Sequence, residues 1–124
     1  MRLTIDSRDG VHNRDAVVFH AGEQVAMVWL SKLNGKQHTL LSLDRDDGWQ
    51  LMVGGGPLHY VITLSDKSQN LTFRNPSGDE TVTVEVCAGG QYGDFPETFC
   101  ANYEQAKNII SLFFQGKERQ ETWA

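Results

Sequence analysis

The stretch His38–Ser65 reads HTLLSLDRDDGWQLMVGGGPLHYVITLS, and its punctuation decides the fold. His38 to Arg45 alternates in the manner of a strand. Asp46-Asp47-Gly48 breaks it with an Asp-Gly pair, which favours the positive φ of a tight turn. Trp49 to Val53 resumes extended structure, with Trp49, Leu51 and Val53 on one face. Gly54-Gly55-Gly56-Pro57 reads as a loop, and His59 to Ser65 as a third strand with Tyr60, Ile62 and Leu64 sharing a face. Strands joined by connections this short pair antiparallel with their neighbours, so the segment predicts a meander with one apolar face.

Working outward, the C-terminal half continues the pattern. Asp66 to Asn70 turns the chain, Leu71 to Arg74 is a short strand, and Asn75-Pro76-Ser77-Gly78 is a strong turn signal. Thr81 to Cys87 alternates cleanly: Val82, Val84 and Val86 point to a core, while Thr81, Thr83 and Glu85 point to water or a partner. Gly89 to Pro96 reads as a long glycine-rich loop, and Glu97 to Ala101 as a last strand. Asn102 and Gln105 then stand at capping-box spacing. Tyr103, Ala106, Ile109, Ile110, Phe113 and Phe114 draw an amphipathic helical stripe that Gly116 ends. A polar tail, Lys117 to Thr122, leads to Trp123.

Toward the N-terminus, residues 2–6 predict a strand, 7–15 a polar loop, and Ala16 to His20 another strand. Glu23 to Leu33 predicts a helix whose stripe is Val25, Val28, Trp29 and Leu33, widened by Met27 and Leu30 and stopped by Asn34-Gly35. The expectation is one α+β domain over 1–124. It has an antiparallel meander of about five or six strands and two helices on one face.

Composition excludes several function classes. The 124 residues are 40% apolar and 22% charged, the balance of an ordinary globular domain. The net charge is -5 and the 11 Lys and Arg are dispersed, which argues against direct nucleic-acid binding but suits a basic protein partner. Residues 1–6 lack the apolar core of a signal peptide, and no apolar run approaches the roughly 20 residues of a membrane span, so a cytoplasmic location is expected. Two cysteines, Cys87 and Cys100, form no disulfide framework and are expected to be buried free thiols.

Catalytic patterns are missing. His12, His20, His38 and His59 are scattered, with no metal-ligand spacing among them. Both cysteines lie in apolar strand patterns, where thiols are usually inert. No serine occupies a Gly-x-Ser-x-Gly elbow. Gly54-Gly55-Gly56-Pro57 is followed by neither a Gly-Lys-Ser/Thr nor a helix, so it is no phosphate loop. Asp44, Asp46 and Asp47, and Asp79 and Glu80, lie in or beside turns, where Asp is common for hydrogen-bonding reasons. No catalytic residue, cofactor or metal ligand is assigned.

From residue 38 onward the order of motifs is informative: Leu43-Asp44-Arg45-Asp46-Asp47-Gly48, Gly54-Gly55-Gly56-Pro57 with Tyr60-Val61, Gly89-Gly90-Gln91 leading to Phe95-Pro96, then Ala106, Phe113-Phe114, Gly116 and Thr122-Trp123. In this the chain resembles the immunity proteins of bacterial polymorphic toxin systems, the first-numbered Imm family, often found beside deaminase toxins. The resemblance implies an α+β fold, no catalysis, and neutralisation of a cognate toxin by tight heterodimeric binding that blocks its active site or substrate cleft. A toxin acting on nucleic acid presents basic surface, and an acidic protein competes for it. The contact candidates are then the acidic turn residues Asp46 and Asp47 with Trp49, and Tyr92, Asp94 and Phe95 of the glycine-rich segment. Trp49 has a core-filling role as its alternative. Two other classes compete with this reading: a small-molecule-binding or enzymatic domain using a cavity between helices and sheet, and an oligomeric scaffold that pairs sheet edges.

Overall fold

The computed structural model describes residues 1–124. The elements are β1 (Arg2–Ile5), β2 (Arg8–Asp9), β3 (His12–Asn13), β4 (Ala16–Val18), α1 (Glu23–Lys32), β5 (Leu40–Asp44), β6 (Gln50–Gly55), β7 (Tyr60–Ser65), β8 (Asn70–Thr72), β9 (Thr83–Ala88), β10 (Gln91–Pro96) and α2 (Tyr103–Gln115). Six strands form one antiparallel sheet in the order β4-β1-β5-β6-β7-β8. Residues 38–72 supply the meander β5 to β8, as their alternation requires.

The register sorts side chains into rows. Val18, Leu3, Leu43, Leu51, Leu64 and Leu71 stand side by side across all six strands. Ala16, Ile5, Leu41, Val53 and Ile62 form the next row on the same face. Apart from Ala16, which is exposed at the sheet edge, these rows meet Ala26, Leu30 and Leu33 from the α1 segment and Ala106, Ile109, Ile110 and Phe113 from α2 in a single core. Each large side chain buried there contributes about 1.5–3 kcal/mol before entropy. The opposite face carries the row Val17, Thr4, Ser42, Met52, Thr63 and Thr72.

α2 forms where its pattern places it. The Asn102 side chain accepts from the Gln105 amide at 2.8 Å, and the Gln105 side chain accepts from the Asn102 amide at 2.9 Å. Gly116 ends the helix at φ +71°. In α1 the expected stripe holds at Leu30 and Leu33, and at Met27 and Trp29, which pack on the core, but not at its two valines. Ala26 and Leu30 are buried, whereas Val25 and Val28 are 38% and 53% exposed. The helix is apolar around much of its girth, so two stripes fit the spacing. The small Ala26 lets the α1 backbone approach the core closely, and that decides which face turns inward.

Two further expectations change. Gln91–Pro96, expected as a loop, is strand β10, paired residue for residue with Ala88–Thr83 in a separate two-stranded hairpin. Its loop is Gly89-Gly90, at φ +63° and +76°, the backbone that a two-residue hairpin turn needs to match strand twist. Glu97–Phe99, expected within a last strand, is a 3-10 turn, and only Ala101 bridges to the sheet, through Tyr60. The Cys100 amide bonds back to the Glu97 carbonyl at 3.0 Å, which curls the segment before it can extend along the sheet. The polar segment 7–15 contains the small hairpin of β2 and β3.

Gly54 and Gly55 belong to β6 and are no loop. The β9–β10 hairpin lies directly over them. A Cβ on Gly54 would sit 2.5 Å from the Ala88 Cβ, and one on Gly55 2.6 Å from Val86 Cγ1. The glycine run is therefore a landing platform for the hairpin. Finally, the C-terminal tail covers the β8 edge. Thr72 and Ala124 exchange backbone hydrogen bonds at 2.9 Å, Arg74 donates to the Thr122 carbonyl at 2.8 Å, and Trp123 packs edge-on against Phe73.

Candidate functional site

A buried polar cluster fixes the hairpin. Asp6, at the end of β1, is buried and accepts from the Thr39 amide at 2.6 Å, the Leu40 amide at 3.0 Å and Arg8 Nε at 2.7 Å. The Thr39 hydroxyl also donates to Asp6 and accepts from the Gly90 amide at 3.0 Å. The Arg8 guanidinium fills the space that a side chain at position 90 would need. Burial alone pushes the Asp6 carboxyl up, but hydrogen bonds from Thr39, Arg8 and Leu40 together outweigh it and hold the group below the ordinary Asp value. The Gly89-Gly90 turn is thereby tied to the sheet through one hydroxyl and one guanidinium.

Fixed in this way, β9 and β10 present two different faces. Val84, Val86 and Ala88 turn toward the sheet, opposite Phe95, Gly93 and Gln91. Thr83, Glu85 and Cys87 turn away from it, opposite Pro96, Asp94 and Tyr92. Glu85 and Asp94 are thus directly opposed carboxylates, both exposed. No Lys, Arg or His of the chain forms an ion pair with either; the six ion pairs lie elsewhere. Tyr92, beside them, is 68% exposed.

This face borders a groove of about 260 Å³. Its opposite wall is the 34–36 turn and the segment Gly56 to His59, where Leu58 is 73% exposed. Cys87 lines the groove yet is only 8% exposed, and burial raises its thiol pKa. Cys100 is likewise a free buried thiol, raised by burial. At Cys87 burial outweighs the opposing pull of nearby Arg8, and at Cys100 the charge of Glu97 adds to burial, so neither thiol is held in the acidified state of a reactive cysteine.

The sequence-derived candidates fall into two separate groups. Tyr92 and Asp94 lie on the outward face of β10, while Phe95 turns to the inner face and is half-buried. Asp46, Asp47 and Trp49 lie at the opposite end of β6, beside Asp66 and Lys67 of the next turn. The two groups are separated by the length of β6, about 17 Å at strand rise. Asp47 is committed internally. Arg45 Nε donates to both its carboxylate oxygens at 3.0 Å, which lowers its pKa, and Asp47 accepts from the Trp49 amide at 3.1 Å. Trp49 packs against the core with the Arg119 guanidinium 4.8 Å over its ring. Asp46 remains an exposed carboxylate with no ion pair.

Glu85 and Leu58 are absent from the sequence-derived set. Glu85 was visible as the polar side of an alternating strand, but its opposition to Asp94 depends on a register that the loop reading of 89–96 hid. Leu58 carries no local signal at all.

The other concavities are a polar one at the β2–β3 hairpin and a shallow one between the Asp46 and Asp66 turns. Neither these nor the groove opens between the helices and the sheet. Every buried side-chain nitrogen and oxygen has a hydrogen-bond partner, and no three His, Cys, Asp or Glu side chains converge as metal ligands. No helix is long and apolar enough to cross a membrane. No protein-family model matches this chain, and no curated protein sequence matches it significantly.

Proposed function

We propose that this chain works by stoichiometric binding to another protein, as an immunity protein that neutralises a toxin domain of basic surface that acts on nucleic acid. The observation that carries the reading is the outward face of the β9–β10 hairpin. Exposed Tyr92 stands there beside Glu85 and Asp94, two carboxylates without a cation of their own. An interface concentrates its energy in a few aromatic anchors ringed by polar contacts, and this face has that composition. The net charge of -5 steers such a protein toward a basic partner. The motif order over residues 38–124 supports the same reading through its resemblance to the Imm proteins.

A small-molecule site between helices and sheet finds no cavity there. The polar groups inside the fold are engaged with each other: Asp6 with Thr39 and Arg8, and Glu118 with Arg45.

The test is co-expression with the toxin domain encoded by the adjacent gene. Growth is restored and the two proteins copurify in equal amounts. If the cells die and nothing copurifies, the immunity role is wrong.

A further inference from the structure

We propose that β4 is a self-association edge. A second copy of this chain pairs with it antiparallel about a two-fold axis at Val17 and joins two six-stranded sheets into one. The edge stands three strands from the β6 glycines that seat the β9–β10 hairpin, so self-association goes beyond the toxin-binding reading and does not depend on it.

The sheet has two edges, and the chain treats them differently. At β8 the C-terminal tail occupies the outer backbone groups, with Thr72 bonded to Ala124 and Arg74 to Thr122. At β4 nothing does. Ala16–Val18 pairs with β1 on one side, and no residue from Asp15 to Phe19 makes a backbone hydrogen bond outside that pairing. Edge strands are ordinarily blunted by Lys, Pro, a bulge or a covering segment. Asp15-Ala16-Val17-Val18-Phe19 has no Lys or Pro, its register is unbroken, and its one charge, Asp15, accepts from Asn13 Nδ2 at 2.9 Å before the strand begins. Val17 and Phe19 are 46% and 69% exposed. An open run of β-branched and aromatic residues is the composition that strand pairing favours.

Symmetry names the occupant. Residues opposed across two strands share a face, and a two-fold axis perpendicular to the sheet keeps each face with itself. A strand that meets its copy antiparallel in this way sets one residue against itself. Val17 is the middle of the three β4 residues, so an axis there opposes all three. Val17 then meets its copy on the face opposite the core, while Ala16 and Val18 meet the copy's Val18 and Ala16 on the core face. Val18 ends one apolar row, after Leu3 and Leu43, and Ala16 ends the next, after Ile5 and Leu41. Across the axis each row runs on into the other. Ala16 is exposed although it stands on the core face, so no helix overhangs the edge there and the copy's Val18 has room to cover it. A strand of an unrelated partner would have to reproduce this order; a second copy has it by construction. Arg14 and Asp15 cancel each other beside the strand, so no local excess of charge opposes the contact.

The test is analytical ultracentrifugation of the full chain over a dilution series that starts at about 1 mM, with amide spectra of the ¹⁵N-labelled chain over the same series. The wild type passes from dimer to monomer on dilution, and the amides of Ala16, Val17 and Val18 shift with concentration. Val17→Lys and Val17→Glu each set like charges against each other at the axis and weaken the dimer about tenfold, the order expected when two opposed valines become two like charges. Mixed in equal amounts, the two variants dimerise again, because Lys then faces Glu. Both keep the wild-type circular dichroism, since position 17 is open to solvent. The wild-type shifts carry the test even where a charged variant fails to fold. A wild type that is monomeric at the highest concentration, folded variants that dimerise as well as wild type, a mixture no more dimeric than its components, or shifts at Thr72 and Ala124 in place of β4 would each overturn the edge pairing. With the toxin domain, rescue of growth by a chain that stays monomeric overturns the pairing and leaves the immunity role standing. A wild-type dimer through β4 without any rescue supports the pairing and removes the immunity role.

Discussion

Arg45 and Glu118 are ion-paired across 73 residues of sequence, and the same Arg45 Nη1 donates to the Phe113 carbonyl at 2.7 Å. The guanidinium also lies 4.3 Å from the centre of the Phe113 ring. One side chain from the Asp-Asp-Gly turn therefore caps α2, neutralises a buried carboxylate and orders Asp47.

Glu118 is almost fully buried, whereas Asp47 is half-exposed on the other side of the same guanidinium. Removing one partner of a buried pair costs about 3–5 kcal/mol, while an exposed pair is worth about 1 kcal/mol or less. Glu118→Gln is accordingly expected to lose roughly 3 kcal/mol, and Asp47→Asn under about 1 kcal/mol. Urea unfolding of the two variants checks this. Equal losses would show that burial does not divide the two ion pairs.

Asp6 gives the fold an acid limit. Its carboxyl is held below the ordinary value, so it binds protons more weakly folded than unfolded. The stability it adds is present above its unfolded pKa, about 3.9, and drains away as pH falls through the lower folded value. Asp6→Asn keeps the side chain's size but loses the charge that Arg8 and Thr39 meet. The gap in urea midpoint between wild type and Asp6→Asn is expected to be widest near neutral pH and to narrow below about pH 4. A gap that stays constant from pH 7 to pH 3 rules this out. Asp47 contributes in the same direction, but solvent screens it.

These nodes explain which parts of the molecule its sequence revealed. α2 was legible because a capping box and an apolar stripe are local features, and both sit where the spacing puts them. The strands β5, β6 and β7 were legible because Leu41 and Leu43, Leu51 and Val53, and Ile62 and Leu64 stand at strand period between clear turn signals. β10 was not, because Gln91-Tyr92-Gly93-Asp94 has no β-branched residue and its strand character comes from pairing with β9. The inner face of α1 was legible at Leu30 and Leu33 but not at Ala26, because valines outweigh an alanine in any apolar pattern. At the site, Tyr92 and Asp94 were readable as an aromatic and an acidic contact residue of a glycine-rich loop. Their partnership with Glu85 and the groove was not, because register and the fold of 56–59 are tertiary facts. The roles of Asp47 and Trp49 were hidden for the same reason, since Arg45 and Arg119 reach them only in three dimensions.

The C-terminal tail is expected to guard the sheet. Trp123 packs on Phe73, donates from Nε1 to the Glu118 carbonyl at 2.9 Å, and aligns Ala124 with Thr72. Trp123→Ala forfeits these together and costs roughly 3 kcal/mol. It also uncovers the β8 backbone, which invites pairing with another chain. Light scattering during gel filtration is expected to show concentration-dependent association for Trp123→Ala beyond that of wild type. A variant no more associated than wild type would mean the tail stabilises without guarding the edge.

The contact between Gly54 and Ala88 offers the sharpest check on how the hairpin is seated. A methyl group at position 54 lies 2.5 Å from the Ala88 Cβ, closer than two carbons tolerate, with Leu40 also within 4 Å. Gly54→Ala must therefore lift the hairpin or bend β6, an overpacking cost of about 1–3 kcal/mol. Deleting the opposing methyl with Ala88→Gly makes room again. The double variant is expected to recover most of the loss from Gly54→Ala, although each change alone destabilises. Such recovery is the mark of two residues in direct contact. If the two losses simply add, the hairpin does not rest on Gly54. The docking also carries the outward face with it, so Gly54→Ala is expected to perturb the amide signals of Glu85 and Tyr92 while leaving those of Asp46 and Asp47 unchanged. A perturbation confined to β6 would separate the platform from the proposed binding surface.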